Sequence, residues 1–113
     1  IFTSPEAAGV GYSERECREK GWEVVTASYP FADHGKSMVM GATEGFVKLI
    51  ALRPRGEIVG AQVVGPHASD LIHEPLAIMR YKGTAEEMMN LPHYHPTLSE
   101  IWTYPAEEIT GKL

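Results

Sequence analysis

The sequence predicts an α+β domain in which helices pack on one side of an antiparallel sheet. Two apolar segments, 44–52 and 57–65, flank Arg53-Pro54-Arg55-Gly56, a proline-glycine turn of hairpin length. Beyond residue 68 the apolar residues recur at helical spacing instead. Strands followed by a run of helices favour an antiparallel sheet over alternating parallel units. With no repeat or linker, residues 1–113 are expected to form a single domain.

The elements before the hairpin follow from local signals. After a short glycine-rich strand, Ser13 and Glu16 have the spacing of a capping box, which predicts a helix of about two turns that ends at Gly21. Residues 22–31 are rich in β-branched and aromatic side chains and predict a strand. Residues 32–37 are predicted to form a loop.

One long helix is predicted after the hairpin. Leu71, Ile72, Leu76, Ile78 and Met79 lie at roughly helical spacing, so we expect a helix from 68 to 82 that stops at Gly83. Pro75 would kink this helix unless it lies in the first turn.

Two further helices are predicted toward the end of the chain. Thr84 and Glu87 have capping-box spacing, and their short helix should end before Pro92. Thr97 is expected to cap a last helix, which Pro105 would break or restart.

Composition excludes several functional classes. The chain of 113 residues is 43% hydrophobic, and no apolar run approaches the roughly 20 residues that cross a bilayer. A net charge of -5, with scattered Lys and Arg, disfavours nucleic acid as a partner. Cys17 is the only cysteine, so no intrachain disulfide is possible and a cytoplasmic location is expected. The opening Ile1-Phe2-Thr3-Ser4-Pro5 resembles neither a secretory signal nor a natural start, which predicts an excised domain.

The segment from His93 to Glu100 has the composition of an acid-base site. Histidine exchanges protons near neutrality, and a carboxylate on one ring nitrogen can leave the other free to take a proton from a thiol, hydroxyl or water. His95 and Glu100 are therefore candidate catalytic residues. The same spacing also fits a locally satisfied histidine with a glutamate favoured by a helix start.

Two other functions, metal binding and association without catalysis, are alternatives to an acid-base site. His93, His95 and Glu100, completed by His73 or His67, have ligand types that suit zinc, but no cysteine cluster or His-Glu-x-x-His element accompanies them, so no metal site is predicted. Alternatively, the chain is a stand-alone, non-catalytic association module. Its contact surface could include Trp22, Trp102, Tyr104 and the methionines 38, 40, 88 and 89.

The string His95-Pro96-Thr97-Leu98-Ser99-Glu100 resembles the C-terminal signature of the flavin-dependent pyridine nucleotide-disulfide oxidoreductases. Leu98-Ser99 favours the lipoamide branch of that family. Further blocks resemble the family's dimerisation domain, in the family's order: residues 1–6, Val10-Gly11-Tyr12-Ser13-Glu14, Tyr29-Pro30-Phe31, Gly45-Phe46-Val47-Lys48-Leu49-Ile50, Ile58-Val59-Gly60-Ala61 and the segment from Val64 to Ile72.

The resemblance implies a role for this chain in a larger enzyme. A homodimer would form in which His95 is the acid/base for the partner subunit's dithiol or disulfide substrate, such as lipoamide, and Glu100 orients it. A cis peptide bond before Pro96 is implied as well. FAD and NAD(P) would belong to the full-length enzyme, with no cofactor bound to this chain alone, which is therefore expected to be inactive. Cys17 would be inert.

Two stretches depart from the family pattern. The family continues after the signature glutamate with small apolar residues, whereas this chain has Ile101-Trp102-Thr103-Tyr104-Pro105. His73 and Pro75 lie in a helix that usually carries alanine and similar residues. Differences in the rim of the site and in the straightness of that helix are therefore expected.

Overall fold

A four-stranded antiparallel sheet organises the chain in this computed structural model, which describes residues 6–41 and 43–113. The predicted α+β class and antiparallel sheet are confirmed; the opening segment 1–5 lies outside the described residues. The spatial order is β1-β4-β3-β2, with each neighbouring pair antiparallel. The strands are β1 Ala7–Gly11, β2 Val24–Pro30, β3 Phe46–Leu52 and β4 Glu57–Val64.

The hairpin and two capping boxes form as predicted. Strands β3 and β4 pair from Phe46 with Val64 to Leu52 with Glu57, around the turn 53–56. The Ser13 hydroxyl accepts the amide of Glu16 at 3.1 Å, and the Glu16 carboxylate accepts the amide of Ser13 at 2.9 Å. The helices are α1 Glu14–Glu19, α2 Gly35–Met40, α3 Ala68–Leu71, α4 His73–Arg80, α5 Ala85–Asn90 and α6 Thr103–Lys112, with 3₁₀ turns at Phe31–Asp33 and Leu98–Trp102.

The predicted loop at 32–37 is wrong. A 3₁₀ turn and the start of α2 occupy this stretch. The two usual signals of a helix, an N-cap side chain and an apolar stripe toward the core, are missing here. His34 precedes α2 without a side-chain cap, and Met38, Val39 and Met40 are exposed.

The predicted helix from 68 to 82 is also corrected, because the structure has two helices separated at Ile72. Pro75 is the third residue of α4, where the backbone amide has no partner within the helix and proline is tolerated. Pro105 is likewise the third residue of α6. The sequence predicted that Pro105 would break or restart the last helix. The structure confirms a restart, because the new helix α6 has Pro105 in its first turn.

Both faces of the sheet are covered in part. The main core joins β3 to the helices that follow the hairpin, through buried Leu49, Leu71, Met88, Trp102 and Ile109. Helix α1 packs on the opposite face, where a smaller cluster includes Cys17, Ile50, Val59 and Trp22. Helices α3 to α6 thus pack on one face of the sheet, as predicted, whereas α1 packs on the other.

No helix in the described ranges has the length and apolar character needed to cross a membrane.

Candidate acid-base site

The predicted dyad lies where a loop leads into the 3₁₀ turn Leu98–Trp102. Helix α5 ends at Asn90, and His95 lies in the following loop. Thr97 directly precedes the 3₁₀ turn, which places Glu100 in its first turn. The His95-Pro96 peptide bond is cis, as the resemblance implied.

The structure brings His95 and Glu100 together. Nδ1 of His95 lies 2.7 Å from Oε1 of Glu100. The other carboxylate oxygen accepts the Thr97 amide at 2.9 Å, and the Thr97 hydroxyl donates to the Tyr94 carbonyl at 2.7 Å. Both oxygens of Glu100 are therefore bonded, and the carboxylate is held against the loop that carries the histidine.

The ionisation state of Glu100 determines which ring nitrogen of His95 is free to accept a proton. The hydrogen bond from the Thr97 amide lowers the pKa of Glu100 most. The hydrogen bond with His95 and the charges of His95 and His34 lower it further, whereas burial opposes the shift. The ionised carboxylate can only accept hydrogen bonds, so Nδ1 of His95 must carry the proton. In the neutral ring, Nε2 is then unprotonated, and the side chain is 81% exposed. The ring of His95 is thus oriented by Glu100 and lies at the surface.

A second histidine-carboxylate pair involves His93, two residues before His95. Nε2 of His93 is 2.7 Å from Oε2 of Glu74, and the two side chains are only 9% and 17% exposed. On the other side of the ring, Nδ1 lies 3.4 Å from the Thr103 hydroxyl. Burial raises the pKa of Glu74 more than the bond and charge of His93 lower it. Sequence reasoning missed this pair because its members are 19 residues apart and no local motif joins them.

His34 is a third histidine near the site that sequence reasoning missed. It is buried, with Nδ1 3.0 Å from the Ser37 hydroxyl and its ring 6.0 Å from that of Tyr104. Tyr104 in turn stacks on Tyr29 at 4.4 Å. Burial lowers the pKa of His34, and the charge of Glu100 opposes that shift. His34 therefore belongs to the packed surroundings of Glu100.

The arrangement gives the metal alternative no support. His93 and His95 bond to different carboxylates, and His67 lies 4.0 Å from Asp70. Over residues 6–41 and 43–113, no three histidine, cysteine or acidic side chains gather as a metal would require.

The described residues also do not fit a dinucleotide cofactor. The sheet is antiparallel throughout, whereas the Gly-x-Gly-x-x-Gly site follows a strand of a parallel βαβ unit. The sequence contains no such glycine pattern after a strand.

Comparison with known proteins gives one family over almost the whole chain. Residues 1–106 match the family described as pyridine nucleotide-disulphide oxidoreductase, dimerisation domain. Dihydrolipoyl dehydrogenase of Geobacillus stearothermophilus is 40% identical over 98% of this chain and 24% of its own length. The chain thus spans about a quarter of the length of the curated relatives that it matches.

Solved structures show the same fold. LpdA from Mycobacterium tuberculosis matches with a TM-score of 0.88 and 28% identity, over 96% of this chain and 24% of that one. A copper complex of the HOCl-induced flavoprotein disulfide reductase RclA from Escherichia coli matches with a TM-score of 0.90 and 22% identity, over 96% and 25%. At that lower identity the likeness shows the fold alone.

Proposed function

Because the chain belongs to the dimerisation-domain family of the pyridine nucleotide-disulphide oxidoreductases, we propose that it pairs two subunits of a dihydrolipoamide dehydrogenase-like enzyme and supplies His95 and Glu100 to the partner subunit's dithiol site. The substrate class would be a dithiol/disulfide such as lipoamide. A cytoplasmic location is part of the same proposal.

The observation that carries the proposal is the combination of a ring oriented by a hydrogen bond and a side chain that is exposed to solvent. Glu100 bonds Nδ1 of His95, yet the His95 side chain is 81% exposed. A base that acted within a cleft of its own domain would be expected to be enclosed by it. An exposed but oriented base instead fits one that completes a site on another subunit.

The proposed chemistry of the dyad is a proton transfer. Nε2 of His95 accepts the proton of a substrate S–H, which leaves a thiolate as the nucleophile, and the imidazolium that forms is stabilised by Glu100. A free thiol has a pKa of about 8.5, so a base active near neutrality can ionise it. In the reverse direction, the same imidazolium returns the proton to a leaving thiolate.

The redox cofactors would be supplied by the rest of a longer protein. FAD and a nicotinamide nucleotide would carry the electrons that leave the dithiol. The described residues do not form the parallel βαβ site that a dinucleotide requires, so the chain on its own is expected not to turn over.

The experiment that tests this function replaces His95 in the full-length protein. His95→Gln should lower the rate of dithiol oxidation about 10²- to 10⁴-fold, the range for losing a general base. His67→Gln is the matched control, because His67 is also a surface histidine, 54% exposed, and should keep wild-type turnover. Turnover of His95→Gln at the wild-type rate would overturn the assignment.

The alternative is a stand-alone association module that performs no chemistry. Of the contact residues that the sequence suggested, Trp102 and Met88 are fully buried and cannot contribute. The support comes from other large side chains that are exposed to solvent: Val39, Tyr81 and Tyr94 are 84%, 85% and 86% exposed. The two functions differ in their dependence on His95. An association module would keep its full function in His95→Gln, whereas the enzyme would lose dithiol oxidation while still dimerising.

A further inference from the structure

The second histidine-carboxylate pair carries an inference that rests on the proposed function. We infer that Glu74 and His93 form a positioning pair, which holds the loop carrying His95 in the orientation that its proton transfer requires. Neither residue touches the substrate in this account. Their effect on the reaction passes through His95.

The loop that carries His95 is held by side chains. Within the described ranges, residues 92–96 make no backbone-to-backbone hydrogen bond. Two of the side-chain bonds, from His95 to Glu100 and from Thr97 to Tyr94, join the loop to itself or to the adjoining 3₁₀ turn. These bonds hold the loop on its C-terminal side, where Trp102 buries the 3₁₀ turn in the core. They leave the N-terminal side of the loop to other contacts.

His93 provides the connection to more distant parts of the fold. Its Nε2 is joined to Glu74 on α4 at 2.7 Å, and its Nδ1 faces the Thr103 hydroxyl at the start of α6 at 3.4 Å. The ring is therefore held between two helices, with only 9% of the side chain exposed. A buried pair of this kind has a single favourable geometry, because either group left without its partner would be buried and unsatisfied.

The fixed position of His93 limits the movement of His95. The two residues are separated only by Tyr94, whose side chain is 86% exposed and does not hold the loop to the core. The exposed ring of His95 thus depends on its own bond to Glu100 and on the backbone position set two residues earlier. A displacement of about 1 Å at a catalytic group can lower a rate about 10²-fold.

Replacement of Glu74 in the full-length enzyme separates positioning from general stability. Glu74→Leu should lower kcat for dithiol oxidation about 10- to 100-fold, while KM changes by no more than about twofold, because substrate binding is not altered. Glu74→Gln is the matched control. Its amide oxygen can accept the Nε2–H of His93 from the same place, so kcat should stay within about threefold of wild type.

The internal reference is electron transfer from the nicotinamide nucleotide to an artificial dye, a reaction that does not use His95. Positioning predicts that dye reduction stays at the wild-type rate in Glu74→Leu. An equal loss of both activities would show a structural role only and overturn the inference. Wild-type dithiol oxidation in Glu74→Leu would also overturn it.

A milder variant covers the case in which Glu74→Leu does not fold. Thr103→Val removes only the hydroxyl beside Nδ1 of His93 and should lower kcat about 3- to 10-fold with dye reduction unchanged. If kcat for dithiol oxidation remains at the wild-type value in Thr103→Val, the inference fails.

The same assay distinguishes this inference from the proposed function. His95→Gln must lose dithiol oxidation for the proposed function to stand. If His95→Gln loses that activity and the Glu74 and Thr103 variants do not, the positioning inference alone fails. If His95→Gln keeps it, the proposed function fails first.

Discussion

The indole N–H of Trp102 donates a hydrogen bond to the backbone carbonyl of Leu71 at 3.0 Å. In a continuous helix, this carbonyl would accept the amide of residue 75, but Pro75 has no N–H. The nearest bonds of helical spacing run from Ile72 to Ala68 in α3 and from Leu76 to Ile72 at the start of α4. Trp102 therefore supplies the donor that the proline removes.

Trp102→Phe should destabilise the chain by about 1–3 kcal/mol, because the Leu71 carbonyl would be left buried without a donor while the aromatic packing is largely kept. Unfolding in urea measures the change. In a Pro75→Ala background, the restored amide can donate to Leu71, so the cost of Trp102→Phe should be smaller. Equal costs in the two backgrounds would show that the indole and the proline are not coupled.

Local signals in the sequence predicted the elements whose stability is local. The β3-β4 hairpin is defined by the turn 53–56, and the hydroxyls of the N-caps Ser13 and Thr84 accept the amides of residues three positions later. Each of these features involves residues close in the sequence. The signature His95 to Glu100 is of the same kind, since its bond spans five residues.

Features that depend on distant residues were not predictable in this way. The break at Ile72 is accompanied by a bond from Trp102, 31 residues beyond Leu71, and the pair of Glu74 with His93 spans 19 residues. No pattern within a window of the sequence indicates either partner. Helix α2 was missed for a different reason: it presents Met38, Val39 and Met40 to solvent, so it lacks the apolar periodicity that signals a helix.

Glu100→Gln should lower dithiol oxidation about 10-fold in the full-length protein, less than His95→Gln. A glutamine in this place can still bond the ring, but it cannot stabilise the imidazolium by charge or enforce the proton on Nδ1. The pH dependence of kcat/KM should shift as well. An unchanged rate and profile would show that Glu100 serves only as the acceptor for the Thr97 amide.

Burial of His34 should make the stability of the fold depend on pH. Because burial lowers its pKa from the ordinary value of about 6.5, the unfolded chain binds more protons between that value and the lower folded-state pKa. Stability should therefore fall as the pH drops through this window. His34→Gln should flatten the pH dependence of the melting temperature below about pH 6.5, and an unchanged slope would assign the dependence to other groups.

Cys17 should be unreactive in the folded protein. It is the buried residue of α1, and burial, followed by the charges of Glu16 and Glu14, raises the pKa of its thiol. An aromatic disulfide reagent should label it only after denaturant is added. Rapid labelling of the native chain would show that α1 opens from the sheet, and would contradict the packing of Cys17 against Ile50 and Val59.

The chain on its own should associate, since it belongs to a dimerisation-domain family and exposes large apolar side chains. Sedimentation over a range of concentrations should show dimers. If His95 reaches a partner subunit, the surface beside it must lie at the interface, so Tyr94→Asp should raise the dimer dissociation constant by about 10-fold or more.

Arg15→Asp is the control for that variant. Arg15 is on α1, on the opposite face of the sheet from most helices, and its side chain is 83% exposed. A charge change there should leave the dissociation constant unaltered. Equal weakening by both variants would mean that charge alone drives the effect. A strict monomer at every concentration would show that pairing needs contacts outside residues 1–113, whereas selective weakening by Tyr94→Asp would link subunit pairing to the surface that presents His95.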